Sequence, residues 1–209
     1  MHDECLIAEA KRLFPRLASF RGYHLVGGTA LALQIGHRVS YDFDLFTEHA
    51  LAPNLHTKVK KVFSGERVKP IFKITEQFDF FVSGVKTTFR YYPYPPAHPL
   101  KKHHSVPLLS IKDIGASKAF AIGQRAAYRD YVDVYFILNE KYATLGELIR
   151  LSEKKYGDDF NGRLFLEQLV YLGDITDRKV EFLRSPLTEK QLMVGLKKEV
   201  KNYVQSFAV

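Results

Sequence analysis

The chain has 209 residues, and its 31 Lys and Arg against 23 Asp and Glu leave a net charge of +8; 46% of residues are hydrophobic and 26% charged. That balance excludes a disordered chain and supplies enough apolar side chains for one generous domain or two small ones, while the single Cys5 excludes an internal disulfide and a cysteine-based zinc site. No apolar run approaches the ~20 residues of a membrane span. The acidic start Met1-His2-Asp3-Glu4-Cys5 does not read as a secretory signal, so a cytosolic protein is expected, and its positive charge favours polyanionic partners such as nucleotide or nucleic acid.

In chain order, residues 3–20 read as an amphipathic helix through Leu6, Ile7, Leu13, Phe14 and Leu17, with Pro15 able to split it in two. Residues 23–26 look like a short buried strand, 29–35 like a helix stopped by Gly36, and 43–46 like a second strand. A helix is expected over 53–63, with Pro53 in its first turn. Between Arg67 and Tyr92 the texture turns β-branched and aromatic, predicting two or three antiparallel strands. The prolines at 93, 95, 96 and 99 then exclude sheet interior and helix, and residues 96–109 are expected as a linker. Beyond it, 111–123, 128–140, 144–156, 163–172 and 188–207 all read as helices. The expected fold class is therefore α/β (α+β) over residues 1–95, with a small mixed sheet, followed by an all-helical bundle over 110–209. The positive charge is shared evenly between the halves, with a local excess at Lys58, Lys60, Lys61, Arg67, Lys69 and Lys73.

The stretch that carries chemistry is Val26-Gly27-Gly28-Thr29-Ala30-Leu31-Ala32-Leu33, followed by Ser40-Tyr41-Asp42-Phe43-Asp44-Leu45-Phe46. A strand ends in two glycines and opens directly into a helix. Glycines let the backbone turn sharply and a ligand approach the main chain. The helix N-terminus offers free N–H groups and a positive dipole end, which suits phosphate, and Thr29 adds a hydroxyl there. Asp42 and Asp44, two apart on a strand, would share one face while Phe43 and Leu45 point to the core. Two adjacent carboxylates repel, and a hard divalent cation such as Mg²⁺ resolves the repulsion by bridging them to substrate phosphates. A phosphate cradle beside a carboxylate pair is the equipment of phosphoryl or nucleotidyl transfer. Taken singly, Gly-Gly is common punctuation and Asp-x-Asp a common solvated strand face; their combination and order carry the signal.

Residues 27–46, Gly-Gly-Thr-Ala-Leu-Ala-Leu-Gln-Ile-Gly-His-Arg-Val-Ser-Tyr-Asp-Phe-Asp-Leu-Phe, resemble the opening motif of the AbiEii/AbiGii toxin family of nucleotidyltransferases, within the DNA polymerase β-like superfamily. Leu109-Ser110-Ile111-Lys112-Asp113-Ile114-Gly115-Ala116-Ser117-Lys118 is similar to the helix that supplies a lysine in that family. The run Arg129-Asp130-Tyr131-Val132-Asp133-Val134-Tyr135-Phe136-Ile137-Leu138 is similar to its closing motif. The resemblance covers roughly residues 20 to 140 and more loosely the helices beyond. It implies that Gly27, Gly28 and Thr29 touch nucleotide phosphates, that Asp42 and Asp44 hold metal (Mg²⁺ or Mn²⁺), that Lys118 contacts phosphate, and that Asp130, with Asp133, completes the catalytic set. It further implies transfer of a nucleoside monophosphate from an NTP to the 3′ end of tRNA, in a toxin–antitoxin or phage-defence module with a cognate antitoxin protein.

The residues by themselves leave several of these roles open. Lys118, among Ala116, Ala119, Phe120 and Ala121, either snorkels to solvent or points its ammonium into a polar cleft. Asp130 could be a surface partner of Arg125 or Arg129, and Asp133 a charge in the first turn of a helix. Many polymerase β-like enzymes carry a third carboxylate on a later strand. Here Val85-Lys86-Thr87-Thr88-Phe89 offers threonines, and Asp79 is expected one strand early. The rival acceptors are a protein hydroxyl or a small molecule such as an antibiotic, and the rival class is a nucleotide- or RNA-binding module that has lost catalysis. His103-His104 would be a metal-ligand pair only if adjacent side chains converged, and a solvated loop is the expectation.

Overall fold

A computed structural model describes residues 1–125 and 127–207. The chain divides into two compact units, residues 1–110 and 111–209.

In the first unit the N-terminal stretch is three short pieces rather than one helix: a 3₁₀ turn at Asp3–Cys5, helix α1 at Ala8–Leu13 and a second 3₁₀ turn at Phe14–Ser19. Pro15 falls where the α-helical ladder would need its N–H, so the chain tightens there. Strand β1 (His24–Val26) runs without a loop into helix α2 (Gly27–Ile35). Every residue of α2 from Thr29 to Leu33, and Ile35, is buried, and Gly36 ends the helix in the left-handed conformation, φ +62°. Then come β2 (Phe43–Thr47), α3 (Leu55–Val62), β3 (Val68–Lys73), β4 (Gln77–Val82), β5 (Val85–Tyr91), β6 (Lys101–His103) and β7 (Val106–Leu108).

The strands form one mixed seven-stranded sheet in the order β3-β4-β5-β2-β1-β7-β6, with β2–β5 and β1–β7 parallel and the other pairs antiparallel. Alternation sorts its faces. Phe43, Leu45, Phe78, Phe80, Thr87 and Phe89 are buried on one side, where Phe20 packs 4.7 Å from Phe89 and Phe80 stacks on Phe89 at 6.0 Å. Asp44, Thr88 and Asp79 alternate to the other side.

The sheet is larger than the small one expected, because the stretch read as a 96–109 linker contributes β6 and β7. The prolines end regular structure only as far as Pro99; beyond them a hairpin closes through His104 and Ser105, both at positive φ (+46° and +64°). Such two-residue turns are usually announced by Asn-Gly or Asp-Gly, and this one carries neither.

In the second unit the regular elements are helices: α4 (Ile111–Ile122), α5 (Tyr128–Asn139), α6 (Leu145–Tyr156), a 3₁₀ turn at Gly157–Asp159, α7 (Gly162–Leu169) and α8 (Glu189–Gln205). Capping boxes start two of them. Thr144 accepts from the Glu147 N–H while Glu147 reaches back to the Thr144 N–H, and Thr188 and Gln191 repeat the arrangement. Gly115 on α4 lets α6 come close, since a Cβ there would lie 2.6 Å from a methyl of Leu148.

Candidate active site

The first unit supplies a turn and two carboxylates. Val26, extended at φ −127°, hands the chain to Gly27 at φ +67°, and α2 begins at once. Only glycine adopts that conformation without strain. Val26 also pairs in register with Asp44 on the neighbouring strand. The Asp44 carboxylate consequently lies against the turn: a Cβ on Gly27 would be 3.1 Å from Asp44 Oδ2. A half-buried carboxylate thus flanks the free N–H groups of a helix N-terminus. Gly28 is filled differently. A Cβ there would fall 2.1 Å from Nη2 of Arg38, a buried guanidinium whose Nη1 donates to the Val39 carbonyl at 3.1 Å. Arg38 sits between elements, where sequence periodicity carries no signal of its burial.

Two expectations change. Asp42 precedes β2, which begins at Phe43, so strand alternation does not place it beside Asp44. Thr29 is buried, and its hydroxyl donates to the Asp42 carbonyl and hydrogen-bonds Ser40 Oγ at 2.7 Å. It pins the backbone ahead of Asp44 instead of offering a free hydroxyl to phosphate.

Asp44, Thr88 and Asp79 form one row across three strands, β2, β5 and β4. Thr88 occupies the place beside Asp44, and Asp79 stands one strand further out, about 10 Å from Asp44 at the usual strand spacing. Gln77 Nε2 donates to both Asp79 oxygens, at 2.9 and 3.0 Å.

In the second unit Lys118 on α4 is buried, its Nζ 2.5 Å from Asp130 Oδ1 and 2.7 Å from Asp133 Oδ2. Asp130 and Asp133 stand three apart on α5 and so share its face. Arg125 adds a second cation on Asp130, with Nε and Nη2 both 3.0 Å from Oδ2. The ammonium therefore points into a buried polar cluster and does not snorkel, and Asp130 serves Arg125 and Lys118 together. A further buried pair, Asp113 with Lys155 at 3.7 Å, was not anticipated.

Residues 73–208 match the family model described as the nucleotidyl transferase AbiEii toxin of type IV toxin–antitoxin systems. The chain belongs to the AbiEii toxin family. This AbiEii protein is a nucleotidyltransferase. The matched span takes in Lys118, Asp130 and Asp133 and begins beyond the Gly27–Asp44 motif. An uncharacterized protein of Aquifex aeolicus is 30% identical to it over 187 residues, covering 88% of this chain and 89% of that protein. Among solved structures, a Helicobacter pylori chain described as a candidate nucleotidyltransferase superposes with a TM-score of 0.64 at 15% identity, covering 95% of this chain and 93% of that one. JHP933 from Helicobacter pylori gives 0.58 at 16%, with 96% and 93% covered. MenT4, a nucleotidyltransferase toxin of Mycobacterium tuberculosis, gives 0.61 at 16%, with 93% and 84% covered. These likenesses establish a shared fold over nearly the whole AbiEii chain. Among the described residues, no helix is long and apolar enough to cross a membrane.

Proposed function

We propose that the protein transfers a nucleoside monophosphate from an NTP to an RNA hydroxyl, at the 3′ end of a tRNA, with Mg²⁺ held by Asp44 and Asp42. The observation that carries this reading is the contact between the Gly27 turn and Asp44: phosphate donors and a hard-oxygen ligand at one place. The donor set fits a magnesium ion, which prefers one or two carboxylates together with substrate phosphates. When bound, the ion would supply charge neutralisation at the transferring phosphate.

The protein groups divide the remaining work. N–H groups at the start of α2 hold the triphosphate, and Gly27, at positive φ, permits the turn that presents them. In the second unit, Lys118, held by Asp133, and Asp130 are the residues that the family resemblance assigns to phosphate contact and to completing the catalytic set. The acceptor hydroxyl releases its proton to solvent. The acceptor oxygen bonds to the α-phosphorus, the bond from that phosphorus to the β-phosphate oxygen breaks, and pyrophosphate leaves with the electron pair.

An RNA acceptor is supported by the sheet face that carries Asp44. Alternation places Lys86 and Arg90 on β5 and Phe81 on β4 on that face with Asp44 and Thr88. Phe72, paired with Asp79, and Phe81 are about half exposed. Aromatic rings for stacking among basic side chains suit single-stranded nucleic acid. A toxin of this class also calls for a cognate antitoxin as partner.

The test incubates the protein with labelled NTPs, Mg²⁺ and total RNA, beside an Asp42→Ala/Asp44→Ala control. Label in the tRNA fraction, lost in the control, is expected. Equal labelling by both proteins, or none by either with any NTP, overturns the proposal; label in protein or small-molecule fractions moves the acceptor to those classes.

A further inference from the structure

The adjacent histidines His103 and His104 do not diverge. His103 is the last residue of β6, and the positive φ at His104 and Ser105 turns the chain so sharply that both rings face one way, their centroids 4.2 Å apart. Both meet the same carboxylate: His103 Nε2 lies 2.5 Å from Asp3 Oδ1 and His104 Nε2 3.4 Å from Asp3 Oδ2. One ligand atom from each of the three residues falls within 4.8 Å of the others. Phe14, fully buried, forms the floor, its ring 5.6 Å from His103 and 6.2 Å from His104.

We propose that Asp3, His103 and His104 form a binding site for a divalent transition-metal ion, with zinc the best fit, separate from the carboxylates of the transfer reaction. Two imidazole nitrogens and a carboxylate oxygen are the donors that suit zinc, and a three-residue set leaves a fourth position to water. Ligand bonds of 2.0–2.2 Å at tetrahedral angles put neighbouring donor atoms about 3.3 Å apart. The Asp3–His104 separation already has that value, and the Asp3–His103 contact has only to open by a side-chain rotation. Magnesium, which prefers oxygen donors, is disfavoured at this site.

The three donors come from opposite ends of the unit's sequence. Asp3 lies in the N-terminal 3₁₀ turn, whose neighbour His2 donates its N–H to the Leu33 carbonyl at 2.8 Å. The histidines lie on the hairpin whose second strand, β7, pairs with β1, the strand that feeds the Gly27 turn. A bound ion would clamp the start of the chain to the sheet through groups none of which the transfer reaction uses.

The test titrates ZnCl₂ into chelator-stripped full-length protein by calorimetry, in the Asp42→Ala/Asp44→Ala background so that those carboxylates do not compete. One equivalent of zinc should bind and raise the melting temperature. His104→Asn, a change at a half-exposed residue that leaves packing intact, should weaken binding about 100-fold or more, and His103→Asn/His104→Asn should abolish both binding and the thermal shift. Cobalt substitution should give the visible absorption of a tetrahedral site. No saturable binding by the parent, or binding and thermal shift unchanged in a folded His104→Asn variant, overturns the proposal.

Discussion

Thr88 on β5 stands directly beside Asp44 on β2, and the carboxylate that the sequence offers in its stead, Asp79, is one strand further away. Asp79 is also held by Gln77. Asp44→Asn should therefore reduce nucleotide transfer by on the order of 10²–10³-fold or more, whereas Asp79→Asn should stay within about twofold of the parent. Initial rates of RNA labelling at saturating NTP check both. A loss in Asp79→Asn equal to that in Asp44→Asn would make Asp79 a member of the reacting set.

Gly27 should tolerate no side chain. Its φ of +67° costs a residue with a Cβ about 1–2 kcal/mol, and the new methyl would meet Asp44 Oδ2. Gly22 is the control, since it too has positive φ, +84°, but open space where a Cβ would go. Gly27→Ala and Gly22→Ala should lose comparable stability in urea denaturation, while only Gly27→Ala loses labelling activity.

Lys118 is the shared cation of two buried carboxylates. Removing it alone, as Lys118→Met, leaves Asp133 buried without it and should cost about 3–5 kcal/mol, the usual penalty for breaking a buried pair. The triple variant Lys118→Met/Asp130→Asn/Asp133→Asn should recover much of that stability while remaining inactive. Chemical denaturation of the three proteins, read beside their labelling rates, separates the lysine's structural work from the role proposed for it in the reaction.

Glu66 makes the stability of the first unit depend on pH. The Arg12 guanidinium, then the Ser83 hydroxyl, hydrogen-bond its carboxylate and hold its pKa at about 2, against an ordinary 4.5. The folded value lies below the unfolded one, so the stabilisation is full above about 4.5 and lost as pH falls toward about 2. The melting-temperature gap between the parent and Glu66→Gln should be constant from neutral pH down to about 4.5, then narrow and close near 2.

Thr87 Oγ1 is buried on the core face of β5 and finds no hydrogen-bond partner among the described residues. Thr87→Val keeps the shape and removes a hydroxyl that costs about 1–3 kcal/mol to bury unpaired. The variant should melt at the same temperature as the parent or higher by scanning calorimetry.

Much of this was legible where a local rule had a local cause. The Gly-Gly turn after β1, the Gly36 stop and the threonines that open α6 and α8 each rest on the conformation or hydrogen bonds of a few neighbouring residues. What escaped depends on distant partners. The Ala-rich surroundings of Lys118 suit a snorkelling lysine and a buried one equally, and the decision lies with Asp130 and Asp133 on another helix. Thr29 follows the glycines and so looks in sequence like a phosphate ligand, but Ser40 and the Asp42 carbonyl, brought back by the next loop, engage its hydroxyl. The β6–β7 hairpin escaped because its turn residues, His and Ser, are not those that usually adopt positive φ.

One of the sheet's two edge strands, β3, leaves almost its whole length open to solvent, with Ile71 and Phe72 about half exposed. A strand so placed is a template on which a second chain could grow. Pro70 withholds one backbone donor, the irregularity between Pro70 and Phe72 breaks the repeat, and Lys69 and Lys73 repel an identical copy. Along this edge, one imino acid, one skipped residue and two ammonium groups thus oppose pairing with an identical copy.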